Sequence, residues 1–364
     1  MTPEEIARAL PVKPEKVIEW EDGESHPTFK QAQKWAALTH VPFGFLFLQA
    51  PPEEELPLPD LRTVGDQAPH KPSVNLIDIV KEVIRKQSWY LDYLKDHEYS
   101  ALPFVGRFSV AATVREVVDD IRHTLAIPAL QQRPTHDEYL RLLITAAERN
   151  GILVMRSGIV GSNTHRKLDV SEFRGFAISD RMAPVVFINS ADAPTARLFT
   201  LVHELAHIWI GTSGISSVAV NSNRREESFC NAVAGEFLAP EVEFREHWSN
   251  DAFWRDNLSV LASYFRVSRL VIARRACDLH IITSEDYWAY YHAELQAYRD
   301  KESAGGNYYA SAGAKNSLRF SQALLAETFG GNVLLRDAAK LLGLQPSKIK
   351  SYANRLTNEA STRL

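Results

Sequence analysis

Cysteine is scarce in this chain. Two in 364 residues, Cys230 and Cys277, are too few for a disulfide framework and exclude the small cross-linked secreted classes. A surplus of one charge sign is also missing. The 41 Lys and Arg nearly balance 45 Asp and Glu, for a net of −4. Such a balance gives no global pull towards nucleic acid, so any such contact must come from a local patch. No apolar run approaches a membrane span, and the first residues lack the charged-then-apolar layout of a signal peptide. No membrane association and a cytoplasmic, reducing location are therefore expected. There is no low-complexity tract and no tight repeat. What remains is an ordinary globular composition, 45% apolar and 24% charged, in a chain long enough for two or three domains with cores of their own.

Proline and glycine punctuate the chain into segments. Residues 1–50 read as short helices: Pro3 to Leu10 with Thr2 as N-cap, Pro14 to Trp20, and Thr28 to Leu38. Pro51, Pro52, Pro57 and Pro59, with three glutamates between, mark an extended linker, so 51–100 is expected to be linker and helical connector. Helices are expected over Asn75 to Tyr99, Val114 to Leu125 and Asp137 to Asn150. Ile152 to Met155, Glu172 to Ile178 and Pro184 to Ile188 are strand candidates. A polar loop from Gly211 to Arg225 precedes a helix over Glu226 to Leu238, and several helices fill 251–300. Lys301 to Ser317, rich in Gly, Ala, Ser and Asn, reads as a flexible connector. Leu318 to Leu356 reads as helical, with breaks at Gly330-Gly331 and Gly343.

The chemistry is concentrated in Leu198-Phe-Thr-Leu-Val-His-Glu-Leu-Ala-His-Ile-Trp-Ile210, which holds the pattern H-E-x-x-H. In a helix, residues four apart share a face, so His203 and His207 can reach one Zn²⁺. Glu204 falls beside that ion, where it can take a proton from water. The run has no other charge and reads as buried, and buried ionisable groups need partners that a metal supplies. The alternative is two surface histidines flanking a glutamate.

A catalytic zinc takes three protein ligands and leaves a position for water. Downstream, Phe229, Val233, Ala234 and Phe237 place 226–240 on a buried helix, where Glu227, Cys230, Asn231 and Ala234 share a face. Glu227, twenty residues after His207 (227 − 207 = 20), is the favoured third ligand. Glu226 reads as a solvated charge, and Cys230 as a small buried apolar residue.

With these residues assembled, Arg197-Leu-Phe-Thr-Leu-Val-His-Glu-Leu-Ala-His207, preceded by Pro184-Val-Val-Phe-Ile-Asn-Ser190 and followed by Glu227-x-x-Cys-Asn-x-x-Ala-x-x-x-Leu-x-Pro240, resembles the ImmA/IrrE metallopeptidase family over roughly residues 100–295. The resemblance implies an α+β, mostly helical, gluzincin-like zinc metallopeptidase domain with a small sheet, over 101–300. It implies His203, His207 and Glu227 as zinc ligands and Glu204 as general base, in enzymes that cleave helix-turn-helix repressors. His165, Arg166 and Arg197 are oxyanion candidates by residue type alone, against a plainer role as surface charges or structural hydrogen-bond donors. Asn189 is expected to cap the strand-to-helix turn.

Helical modules flank this domain in the sequence. Glu5-Ile-Ala-Arg-Ala-Leu10, Val17-Ile-Glu-Trp-Glu-Asp-Gly23 and Pro27-Thr-Phe29 resemble an XRE-type helix-turn-helix that starts at its second helix, the first being missing. Five basic residues in 1–50 (Arg8, Lys13, Lys16, Lys30, Lys34) face seven acidic ones, a poor footprint for phosphates. The final segment, 301–364, ends in a basic helix-turn-helix-like stretch. In 315–357, seven basic residues (Lys315, Arg319, Arg336, Lys340, Lys348, Lys350, Arg355) face Glu327 and Asp337. That stretch is the better candidate for a nucleic-acid patch, against an exposed, solvated helical face. Phe265 to Arg275 has similar flavour but is expected to pack on the catalytic domain through Leu270, Val271 and Ala276.

Two functional readings follow. One is a zinc-dependent endopeptidase that cleaves or controls a regulatory protein. The other is an antitoxin or transcriptional regulator in which the peptidase fold binds or senses; its partner would be an adjacent small toxin, such as a PIN-domain ribonuclease. A DNA operator is a further partner either reading allows, and dimerisation through the helix-turn-helix modules another.

Overall fold

The computed structural model describes residues 2–50, 56–58, 72–127, 136–216, 225–301 and 313–361. It divides into two units, Met1–Leu56 and Pro57–Leu364. Among the described residues no helix is long and apolar enough to cross a membrane.

Among its described residues the first unit holds three short α-helices, α1 (Pro3–Ala9), α2 (Pro14–Glu21) and α3 (Phe29–Thr39), followed by a 3-10 turn over Phe43–Phe47. Thr2 and Thr28 close capping boxes with Glu5 and Gln31, which satisfies the free N–H groups at those helix starts. Ile6, Ala7, Leu10, Val17 and Trp20 form its core, with Val12, Trp35 and Leu38 packed against them.

Among its described residues the second unit is mostly helical around one small sheet. Its strands are β1 (Leu153–Ser157), β2 (Gly175–Ile178), β3 (Val185–Asn189) and β4 (Gly214–Ser216), in spatial order β1-β3-β2-β4. β1 runs parallel to β3, while β2 is antiparallel to both β3 and β4. β2 and β3 form a hairpin whose turn is fixed by Asp180, its carboxylate accepting from the amides of Met182 and Ala183. Strand side chains alternate between faces. Ala177, Val186 and Ile188 share a core with the helix α7 (Pro194–Ile210), while Phe176 and Phe187 stack with ring centroids 4.8 Å apart.

Helix α4 (Val74–Asp96) is tied to the strand connections: Gln87 donates to the Ala183 carbonyl, and Arg166 pairs with Asp78 at 2.6 Å. Its start is held by Glu172, which accepts from both the amide and the hydroxyl of Ser73. β2 begins only at Gly175 rather than at Glu172 because the amides of Glu172 and Phe173 turn back onto the Asp169 carbonyl. The loop expected over Gly211 to Arg225 holds an edge strand, β4, while residues 217–224 lie outside the described ones. Residues 302–312 of the expected 301–317 connector also lie outside them, but Lys315, Asn316 and Ser317 are buried. Residues 265–275 pack as expected, with Leu270, Val271 and Ala276 inward on α11 (Arg269–Asp278), which meets α7.

Candidate metal centre

Pro194 at the first turn starts α7, and Gly211, in the left-handed conformation at φ 74, ends it. Between them the helix is apolar on all sides, and Leu198 to Trp209 are all buried. A helix of that composition belongs inside a core. Sheet strands β2 and β3 cover one side of it and α8 (Arg225–Leu238) another. The face of α8 turned inward carries Glu227, Cys230, Asn231 and Ala234, as the 3–4 spacing predicts.

This packing brings the three expected ligands together. The Nε2 atoms of His203 and His207 lie 3.1 Å apart. Glu227 reaches both, with one oxygen 3.4 Å from His203 Nε2 and the other 3.1 Å from His207 Nε2. Their potential ligand atoms all lie within 4.8 Å of one another, and all three side chains are buried. Burial would raise the Glu227 carboxyl, but the facing His203 and His207 hold it well below the usual carboxylate range. Burial pushes His203 down, more than Glu227 lifts it. The site therefore combines an ionised carboxylate with an imidazole that favours its neutral form, the donor set a divalent ion requires.

Glu204 sits on the same helix, fully buried, and neither of its oxygens meets a protein donor in hydrogen-bond geometry. Burial raises its carboxyl well above the usual range, the nearby Glu227 charge adds to this, and the Ser216 hydroxyl opposes it. A buried acid whose nearby donor, the Ser216 hydroxyl, is given to Glu227 is costly unless water or a ligand serves it. The donor set and this orphaned carboxyl together fit a metal ion.

Two neighbours of the site are absent from the sequence reading. Ser216, on β4, donates to Glu227 at 3.3 Å and lies 3.4 Å from His207 Nε2. Gly175, on β2, leaves room for Glu204: a Cβ there would sit 2.7 Å from the Glu204 Oε1 and 2.9 Å from the Phe187 carbonyl. The oxyanion candidates are engaged elsewhere or stand apart. Arg166 pairs with Asp78, Arg197 donates to the carbonyls of Ser190 and Asp192, and His165 is exposed. Asn189 turns the chain between β3 and α7, accepting from the Ala191 amide and donating to the Phe173 carbonyl. Cys230 is buried and outside the ligand cluster, and burial pushes its thiol far up.

Comparison with known families agrees with this geometry. Residues 147–276 are similar to the IrrE N-terminal-like domain, the M78 metallopeptidase family, and this span contains His203, Glu204, His207 and Glu227. Residues 316–355 match a domain of unknown function, DUF8813. No curated protein matches the chain.

Proposed function

We propose that this protein is a zinc-dependent endopeptidase that cleaves a regulatory protein of the helix-turn-helix repressor class. The observation that carries the reading is the convergence of two imidazoles and the Glu227 carboxylate beside an unpartnered buried acid. His203, His207 and Glu227 would hold the ion, which when bound supplies Lewis acidity towards water and the scissile carbonyl. Glu204 takes the proton of the attacking water and returns it to the leaving amine, a task suited to a carboxyl that burial has made more basic. Ser216 steadies the Glu227 oxygen that faces His207.

The N-terminal unit supports a substrate-recognition role better than an operator-binding one. Its α1–α2 pair has a helix-turn-helix rhythm, but Lys16 is paired with Glu19 at 2.6 Å, which weakens an already acidic surface.

The test is metal analysis together with Glu204→Gln. Purified wild type should hold about one zinc per chain, and the variant should keep it while losing cleavage of a repressor that it traps in the native host. A wild type without metal under metal-replete conditions overturns the proposal. If Glu204→Gln still neutralises an adjacent small toxin, cleavage is dispensable and the binding, antitoxin reading replaces it.

A further inference from the structure

We infer that the C-terminal module is a helix-turn-helix that binds duplex DNA through the exposed start of its last helix. Helix Leu335–Leu342 ends at Gly343, whose φ of 64 makes the left-handed turn. The chain then passes through Pro346–Lys348 into helix Ile349–Ser361. Ala338, Ala339, Leu342, Leu344, Ile349, Tyr352 and Leu356 are buried, and both helices pack on Leu318–Phe329. Two helices joined by a short glycine turn and backed by a third form the unit that lays a helix in the major groove.

The side that faces solvent has matching chemistry. Gln345, Ser347 and Lys348 are exposed in the turn that leads into the last helix, and Lys350, Ser351 and Asn354 on its first turns. There, amide, hydroxyl and ammonium groups can meet base edges and phosphates. Arg336 and Lys340 on the preceding helix are exposed too. Lys340, Lys348 and Lys350 have no carboxylate partner among the described residues.

The seven basic residues of 315–357 divide by role. Lys315 and Arg319 are spent on docking: Lys315 donates to the Gly161 carbonyl and pairs with Glu82, and Arg319 donates to the Tyr90 hydroxyl. The other five lie on the module itself, against Glu327 and Asp337, so residues 320–357 carry +3 (5 − 2) in a chain of net −4. A merely solvated face would not require this separation of charge. The turn is also bolted to the rest of the second unit. Ser162 donates to the Gly343 carbonyl and Asn316 to that of Leu342, so the module is presented in a fixed orientation. The inference does not depend on the metal centre.

The test uses the full chain, labelled random-sequence duplex DNA and a salt titration, followed by selection from a duplex library. Wild type should bind duplex with an affinity that falls steeply as salt rises. Lys348→Ala with Lys350→Ala should weaken binding at least about tenfold and flatten the salt slope by about two. Asn354→Ala should change the selected sequence, and none of these surface variants should alter the melting temperature. A Lys13→Ala, Lys16→Ala variant controls for the N-terminal unit and should bind as wild type does. Absence of duplex binding at low salt overturns the inference. So does binding unaffected by the Lys348/Lys350 change, binding lost only in the N-terminal control, or equal affinity for single-stranded RNA.

Discussion

The Glu148 carboxylate accepts a 2.9 Å hydrogen bond from the backbone amide of Arg319, 171 residues away in sequence. The same oxygen accepts from the Ser317 hydroxyl, and the other accepts from the Val154 amide at the start of β1. A buried acid at the end of α6 (His136–Arg149) thus caps the first helix of the C-terminal module. Burial raises this carboxyl even though every one of those donors lowers it. Glu148→Ala would leave those donors without an acceptor, each a loss of about 1–3 kcal/mol. Chemical denaturation should show the lower stability. Hydrogen exchange should show that amides 318–320 lose protection first.

A second buried cluster sets the acid limit of the fold. Glu82 lies 2.8 Å from Lys86 and 3.3 Å from Lys315. Burial works against the charged carboxylate, but the two lysines hold it at about 2. Burial drives Lys86 down to about 8, against the pull of Glu82. Because the folded carboxyl is the stronger acid, its stabilisation is complete above pH 4.5 and is lost as pH falls towards 2, by at most about 3 kcal/mol. Lys86 has the same sense in a higher window: its folded form gives up the proton more readily, so stability rises as pH climbs from 8 towards 10.5. Glu82→Gln should flatten the acid limb and cost about 3–5 kcal/mol at neutral pH, since it strands buried ammonium groups. Denaturant midpoints measured across pH check both windows.

Gly175→Ala should separate metal binding from catalysis. The added methyl group meets Glu204 Oε1 and the Phe187 carbonyl at under 3 Å, so the acid must move while the ligands on α7 and α8 need not. Zinc content should remain near one per chain, with cleavage reduced by about a hundredfold, as expected for a misplacement of about 1 Å. Equal loss of metal and activity would instead place Gly175 among the purely structural positions.

On the proposed reading, removing the ion should loosen the site without unfolding the chain. Glu227 faces both imidazoles at 3.1–3.4 Å, close enough for a proton to tie the three together in place of an ion. The melting temperature should fall on chelation and recover with zinc. Glu227→Ala should bind the ion far more weakly and lose most of that thermal response.

The residues that announced themselves in sequence were those whose chemistry and spacing coincide. His203 and His207 at a helical interval, and Glu227 on the inward stripe of the next helix, could be read directly because a helix converts spacing into direction. Ser216 could not be: β4 is three residues long and sits in a stretch whose composition suggests a loop. Gly175 looks like any strand glycine until the Glu204 side chain is seen filling its space. Glu148, Lys86 and Lys315 look like ordinary solvated helix charges, because their burial depends on partners up to 171 residues distant. Long-range pairing of this kind leaves no local pattern to read.

A helix enclosed on every side has no route by which to fray alone. With Leu198 to Trp209 all in the interior, the turns that carry the imidazoles can open only when their surroundings open too. The slowest amide exchange in the molecule should therefore come from this segment, and damage to distant packing should disturb the juxtaposition of His203, His207 and Glu227 as readily as a change beside them.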